Sequence, residues 1–89
     1  MVRLFVRHTV SDYGTWRKHY DAFDTERGGM GVIAHAVYCA TDNPNDVTIT
    51  HDFETIEAAQ AFAAAPRLRE VMTAAGVISE PAVWFTSPV

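Results

Sequence analysis

The stretch VTITHDFETIEAAQAF, Val47 to Phe62, changes its period halfway along. Up to Phe53 the apolar residues Val47, Ile49 and Phe53 fall at even spacing, the pattern of a strand with one face buried. From Ile56 they recur at helical spacing, with Ala59, Phe62 and Ala63 on one side. Thr55 can cap that helix, and Glu54 and Glu57 stand where the helix dipole favours negative charge. A strand therefore runs into a helix with almost no loop, and His51-Asp52 lies at the join.

Either side of this stretch the same two periods recur. Val2 to Val10 alternates Leu4, Val6 and His8 against Arg3, Phe5 and Arg7, which predicts a first strand. Ser11 or Asp12 can cap a helix in which Tyr13, Trp16, Tyr20 and Phe23 form one aromatic stripe, running until Gly28-Gly29 stops it. A second alternating run, Gly31 to Ala40, enters TDNPND, whose composition favours a tight reversal into Val47 to Phe53. Pro66 predicts a break near Ala65, after which Leu68, Val71, Met72 and Ala75 continue up to Gly76. Ala82 to Thr86 makes the last strand. The order predicts an α+β, ferredoxin-like βαββαβ chain: a four-stranded antiparallel sheet with two helices on one face, one domain over residues 1–89.

Composition narrows the class. A chain of 89 residues with 48% hydrophobic content forms one compact unit, and at this size roughly 40% of the unfolded surface stays exposed, which favours association with a second copy. The net charge is -4 and the seven basic residues are scattered, so a nucleic-acid partner is not expected. No run approaches the ~20 apolar residues of a membrane span and the alternating start is unlike a signal peptide, so a cytoplasmic protein without a membrane partner is expected. The single cysteine, Cys39, excludes an internal disulfide and is expected to be a small buried apolar residue.

Two longer segments carry a resemblance. HDFETIEAAQAFAAAPRLREVM resembles the end of the third strand and the second helix of the dimeric alpha/beta barrel proteins, the group that contains antibiotic-biosynthesis monooxygenases. VRHTVSDYGTWRKHYDAFD, PNDVTITHDFET and the terminal VWFTSP are similar to small actinobacterial proteins often labelled cyclase. The resemblance spans nearly the whole chain. It implies a homodimer in which two sheets face each other, and a ligand cavity between each subunit's sheet and its helices.

The candidate site residues are the histidines and aromatics. With the usual strand order 4-1-3-2, His8 and His51 fall at opposite ends of adjacent strands, separated by well over roughly 10 Å, so they form no dyad within one subunit. His51 and Asp52, as strand neighbours, point to opposite faces and form no side-chain dyad either. His51 belongs to the apolar face with Val47, Ile49 and Phe53, either as a satisfied core residue or as a base in a cavity. His35 joins it if Val37 opposes Ile49, and faces the other way if Tyr38 does; the first register gives one strongly apolar face and is preferred. His19 falls outside the aromatic stripe and is expected in solvent. Trp16, Tyr20 and Phe23 can be core or the wall of a pocket for a flat aromatic molecule, joined there by His8 and Phe62. Trp84 can serve the ligand or cover a dimer seam. Arg67, Arg69 and Glu70 read as an exposed helix face.

Scattered histidines with no HxxxH pair give no metal site. The resemblance implies no cofactor: in relatives that act without metal or flavin, a base removes a substrate proton and the anion reacts with oxygen itself. His51 and His35 are the candidate bases, in a monooxygenase or in a cyclase or isomerase. A haem-degrading activity is not expected, because the second helix lacks histidine and the first strand lacks asparagine. The alternative from another class is a dimeric ligand-binding or stress-associated module without chemistry.

Overall fold

A computed structural model describes residues Met1–Val89. Eight elements follow one another: β1 (Val2–Thr9), α1 (Tyr13–Ala22), α2 (Asp24–Gly29), β2 (Ala34–Ala40), β3 (Asn43–Phe53), α3 (Ile56–Ala64), α4 (Pro66–Ala74) and β4 (Ala82–Thr86). The strands form one antiparallel sheet in the order β2-β3-β1-β4. This is the ferredoxin-like plan, and each helical arm is split in two.

Local chemistry explains the splits. Asp12 caps α1 by accepting the Thr15 N–H at 2.9 Å, and Thr55 caps α3 by accepting the Ala58 N–H at 3.2 Å. The first helical arm does not run unbroken to Gly28-Gly29: a turn at Phe23 ends α1 and starts α2. In the second arm Ala65 is extended and Pro66 opens α4, since proline suits a first helical position and disfavours helical backbone in the residue before it. Gly76, at φ +88°, then turns the chain away.

The β2–β3 hairpin adopts the preferred register, with Val37 opposite Ile49 and His35 opposite His51. Its reversal is tighter than TDNPND as a whole. Only Thr41 and Asp42 lie outside the strands, and the pairing shifts between Cys39, opposite Val47, and Ala40, opposite Asn43, so that Pro44, Asn45 and Asp46 bulge from the ladder. The bulge has a positioning role: the Asn45 carbonyl accepts the Val10 N–H at 2.9 Å and its side-chain oxygen accepts the Tyr13 N–H at 3.0 Å, which fixes where α1 begins.

One face of the sheet is covered. Leu4, Val6, His8, Val47, Ile49, His51 and Phe53 point into the helices, where Trp16, Tyr20, Phe23, Ala59, Phe62 and Ala75 complete the core. Cys39 departs from expectation. It is exposed, because it lies at the bulged end of β2, the edge strand of the sheet. The other face carries no helix. Phe5 and Trp84 stack there with ring centroids 5.1 Å apart, flanked by bidentate ion pairs from Arg3 to Asp52 and from Arg7 to Asp46. No helix is long and apolar enough to cross a membrane.

Candidate functional site

Between the covered face and the helices lies a cavity of about 40 Å³. It is room for water, well below the roughly 300 Å³ of an ordinary ligand pocket. Val6, His8, Ile49 and His51 form its floor, Trp16, Tyr20, Phe23 and Arg27 one wall, and Phe62, Leu68, Val71 and Met72 the other. No residue of α4 is fully buried, so the wall that Leu68, Val71 and Met72 supply is the loosest. Arg67 ties α4 to α2 through two bonds to Glu26, both 2.9 Å, and also bonds Glu70.

The structure gathers His8, His51, Trp16, Tyr20 and Phe62 around this cavity and leaves His35 and Trp84 out of its lining. Trp84 stands opposite Phe5 in the ladder and therefore on the far side of the sheet from the helices. His8 and His51 line one cavity without forming a dyad, since His8 pairs with Val47 and His51 with Leu4, four residues along the strand. His19 is exposed, with Nδ1 near the Thr15 carbonyl oxygen at 3.0 Å.

His51 is 5% exposed, packs against Phe62 at 4.8 Å between ring centroids, and has no partner for Nδ1. Burial, then the nearby Arg27 charge, holds its pKa down at about 3. It is neutral at physiological pH and a weak proton acceptor. His8, set edge-on to Trp16, is lowered by burial in the same way, and its Nδ1 also lacks a partner.

His35 is differently placed. The Tyr20 hydroxyl hydrogen-bonds Nδ1 at 2.5 Å, and Asp24 Oδ1 lies 3.1 Å from Nε2. A carboxylate oxygen accepts, so Nε2 carries the hydrogen, which leaves Nδ1 to accept from the phenol. Tyr20, His35 and Asp24 thus form a line of three with the tautomer fixed by the carboxylate. Burial pushes the Tyr20 phenol upward, and the Arg27 and Arg17 cations work against that shift. Arg27 lies over the Tyr20 ring, 3.8 Å from its centroid, and donates to the Tyr20 carbonyl at 2.7 Å and to Asp24 at 3.1 Å.

Asp24 and Arg27 were not among the residues singled out from the sequence. Arg27 nevertheless continues the aromatic stripe, four positions after Phe23 and seven after Tyr20, and that spacing is the signal. Asp24 gives none, because the turn at Phe23 decides which way it points. No three His, Cys, Asp or Glu side chains cluster as a metal centre would require.

A four-stranded antiparallel sheet backed by helices in this order is the fold of the antibiotic biosynthesis monooxygenase proteins. Among solved structures, an antibiotic biosynthesis monooxygenase-type protein from Bordetella bronchiseptica matches with TM-score 0.84 at 14% identity, covering 99% of this chain and 96% of that one. SnoaB, a cofactor-independent oxygenase from Streptomyces nogalater, matches with TM-score 0.75 at 17% identity over 99% and 94%. A monooxygenase from Streptomyces coelicolor, solved with the ligand nanaomycin D, matches with TM-score 0.69 at 20% identity over 99% and 87%. No family model and no curated protein matches the sequence.

Proposed function

We propose that this chain is a single-domain, cytoplasmic homodimer that binds a planar aromatic or polyketide-like molecule between sheet and helices and oxygenates it without a cofactor. The observation that carries this is the Tyr20–His35–Asp24 line beside an aromatic-walled cavity. Support for the class of chemistry comes from the shared fold with SnoaB, a cofactor-independent oxygenase.

In this proposal Tyr20 is the group that meets substrate. Its oxygen takes a proton from an acidic C–H next to a carbonyl while its own hydrogen passes to His35 Nδ1, and Asp24 stabilises the imidazolium. The substrate anion gives an electron to O₂, the two radicals combine, and a CH₂ group becomes a carbonyl as the second oxygen atom leaves as water. His35 is the proton store and His51 is not, because a pKa of about 3 makes it too weak. Trp16 and Phe62 supply flat walls. A ligand of several rings displaces α4 from the cavity, and closing it again excludes water.

The second proposal, a dimeric binding module without chemistry, is favoured by the small size of the cavity. Oxygen uptake separates the two. With 2-tetralone as probe, whose ring CH₂ is activated by the adjacent carbonyl, the wild type is expected to consume oxygen faster than buffer and His35→Ala not to; equal rates for wild type, His35→Ala and buffer would leave the binding module.

A further inference from the structure

Arg27 is the largest of the fully buried side chains, 2% exposed, on a six-residue helix otherwise open to solvent. Its charge is poorly matched there. The one carboxylate it touches, Asp24, has a side chain 67% exposed and also serves His35. The guanidinium has five N–H donors; one goes to the Tyr20 carbonyl, one to Asp24, and the Nε–H, though buried, has no acceptor.

Burying a guanidinium is costly unless an acceptor meets each buried donor. Packing alone does not account for an arginine here, since a methionine or leucine would fill the same position over the Tyr20 ring. The cavity wall that Arg27 joins contains no Asp or Glu, and the histidines in it, His8 and His51, are held neutral by burial. The wall therefore carries a single positive charge and no negative one, in an otherwise apolar and aromatic setting.

We infer that Arg27 is an oxyanion-binding residue, and that the cavity takes flat aromatic monoanions, an enolate or phenolate whose oxygen accepts the free Nε–H. This rests on the proposed deprotonation by Tyr20 and His35 and names its product. The anion forms where a fixed cation already stands, and charge that develops in a dry site is best met by a donor already in position. The guanidinium is held 3.8 Å from the Tyr20 ring centroid and bonded to the Tyr20 carbonyl and Asp24, so the donor is fixed without a flexible side chain having to close on the ligand.

The test is binding, and needs no turnover. Lawsone, a hydroxynaphthoquinone that is an anion at neutral pH, is compared with its methyl ether, which has nearly the same shape and no charge. Both are titrated into a Cys39→Ser background, which removes the exposed thiol that quinones attack. Lawsone is expected to bind at least tenfold more tightly than the ether, and Arg27→Met to reduce the preference to near unity while the ether still binds. Equal affinities, no binding of either probe, or a preference that survives in Arg27→Met overturns the assignment. If Arg27→Met does not fold, Arg27→Lys replaces it: the charge stays, the Nε–H goes, and the preference must fall severalfold. Retained anion preference with no oxygen uptake would remove the oxygenase proposal and leave Arg27 as the anion site.

Discussion

His35 and His51 face each other directly across the β2–β3 pair, yet only His35 has hydrogen-bond partners at both ring nitrogens. One strand apart, the same side chain is a partly exposed ring bonded at both nitrogens in one case and a buried neutral ring in the other. The chemistry open to each follows from what surrounds it.

Replacing Tyr20 with Phe keeps the ring beneath Arg27 and removes only the hydroxyl. If Tyr20 relays the proton, oxygenation should fall by roughly 10²- to 10⁴-fold, the usual worth of a positioned acid or base, with little change in melting temperature. His35→Gln should fall similarly. Oxygen uptake at saturating probe, with a thermal melt beside it, checks both.

Acid should weaken the fold before the carboxylates titrate. The unfolded chain protonates His51 below about pH 6.5, whereas the folded protein resists until about 3, so the unfolded state holds the extra proton between these values. Stability is then lost as pH falls, at up to roughly 1.4 kcal/mol per unit. His8 adds to it with the same sign. Asp46 and Asp52, both lowered by their arginine partners, contribute only further down. The melting temperature should drop between pH 7 and 5, and His51→Gln should flatten much of that slope.

The uncovered face of the sheet bears the dimer proposal. Phe5 and Trp84 stack there between the Arg3–Asp52 and Arg7–Asp46 pairs, a flat apolar centre with a charged rim. Trp84→Glu should yield a monomer with an unchanged circular dichroism spectrum. A wild type that sediments as a monomer would remove the dimer from the proposal.

Gly76 holds a left-handed turn in contact with β1's exit. A Cβ there would lie 2.6 Å from Ser11 Oγ, and the backbone conformation itself costs a non-glycine residue roughly 1–2 kcal/mol. Gly76→Ala should destabilise by at least that much in urea. Adding Ser11→Gly should recover the steric part and leave the backbone part.

Most of the fold was legible because it rests on periods that tertiary context does not overturn. Val37, Val47, Ile49 and Phe53 favour one apolar face, and that preference points to the register the structure has, with His35 opposite His51. Thr55, Pro66 and Gly76 mark their own helix ends. The site was legible only in part. His35 and Tyr20 were visible as residues, but their bond depends on how α1 lies over the edge strand. Asp24 carries no mark in the sequence and Arg27 only its spacing on the aromatic stripe; the turn at Phe23 brings one beside His35 and the other over the Tyr20 ring. Trp84 could have served either face until the β1–β4 pairing put it beside Phe5.

The position of α4 has a consequence for how such a chain can diversify. The Tyr20–His35–Asp24 line lies on α1, β2 and α2, and the buried core on the sheet, α1 and α3, whereas Leu68, Val71 and Met72 border the cavity from a segment that contributes no fully buried side chain. Substitutions in that segment can change which molecules fit while the rest of the sequence stays as it is. If the cavity does take a ligand, selectivity and foldability fall largely on different stretches of the chain, and either can drift without dragging the other along.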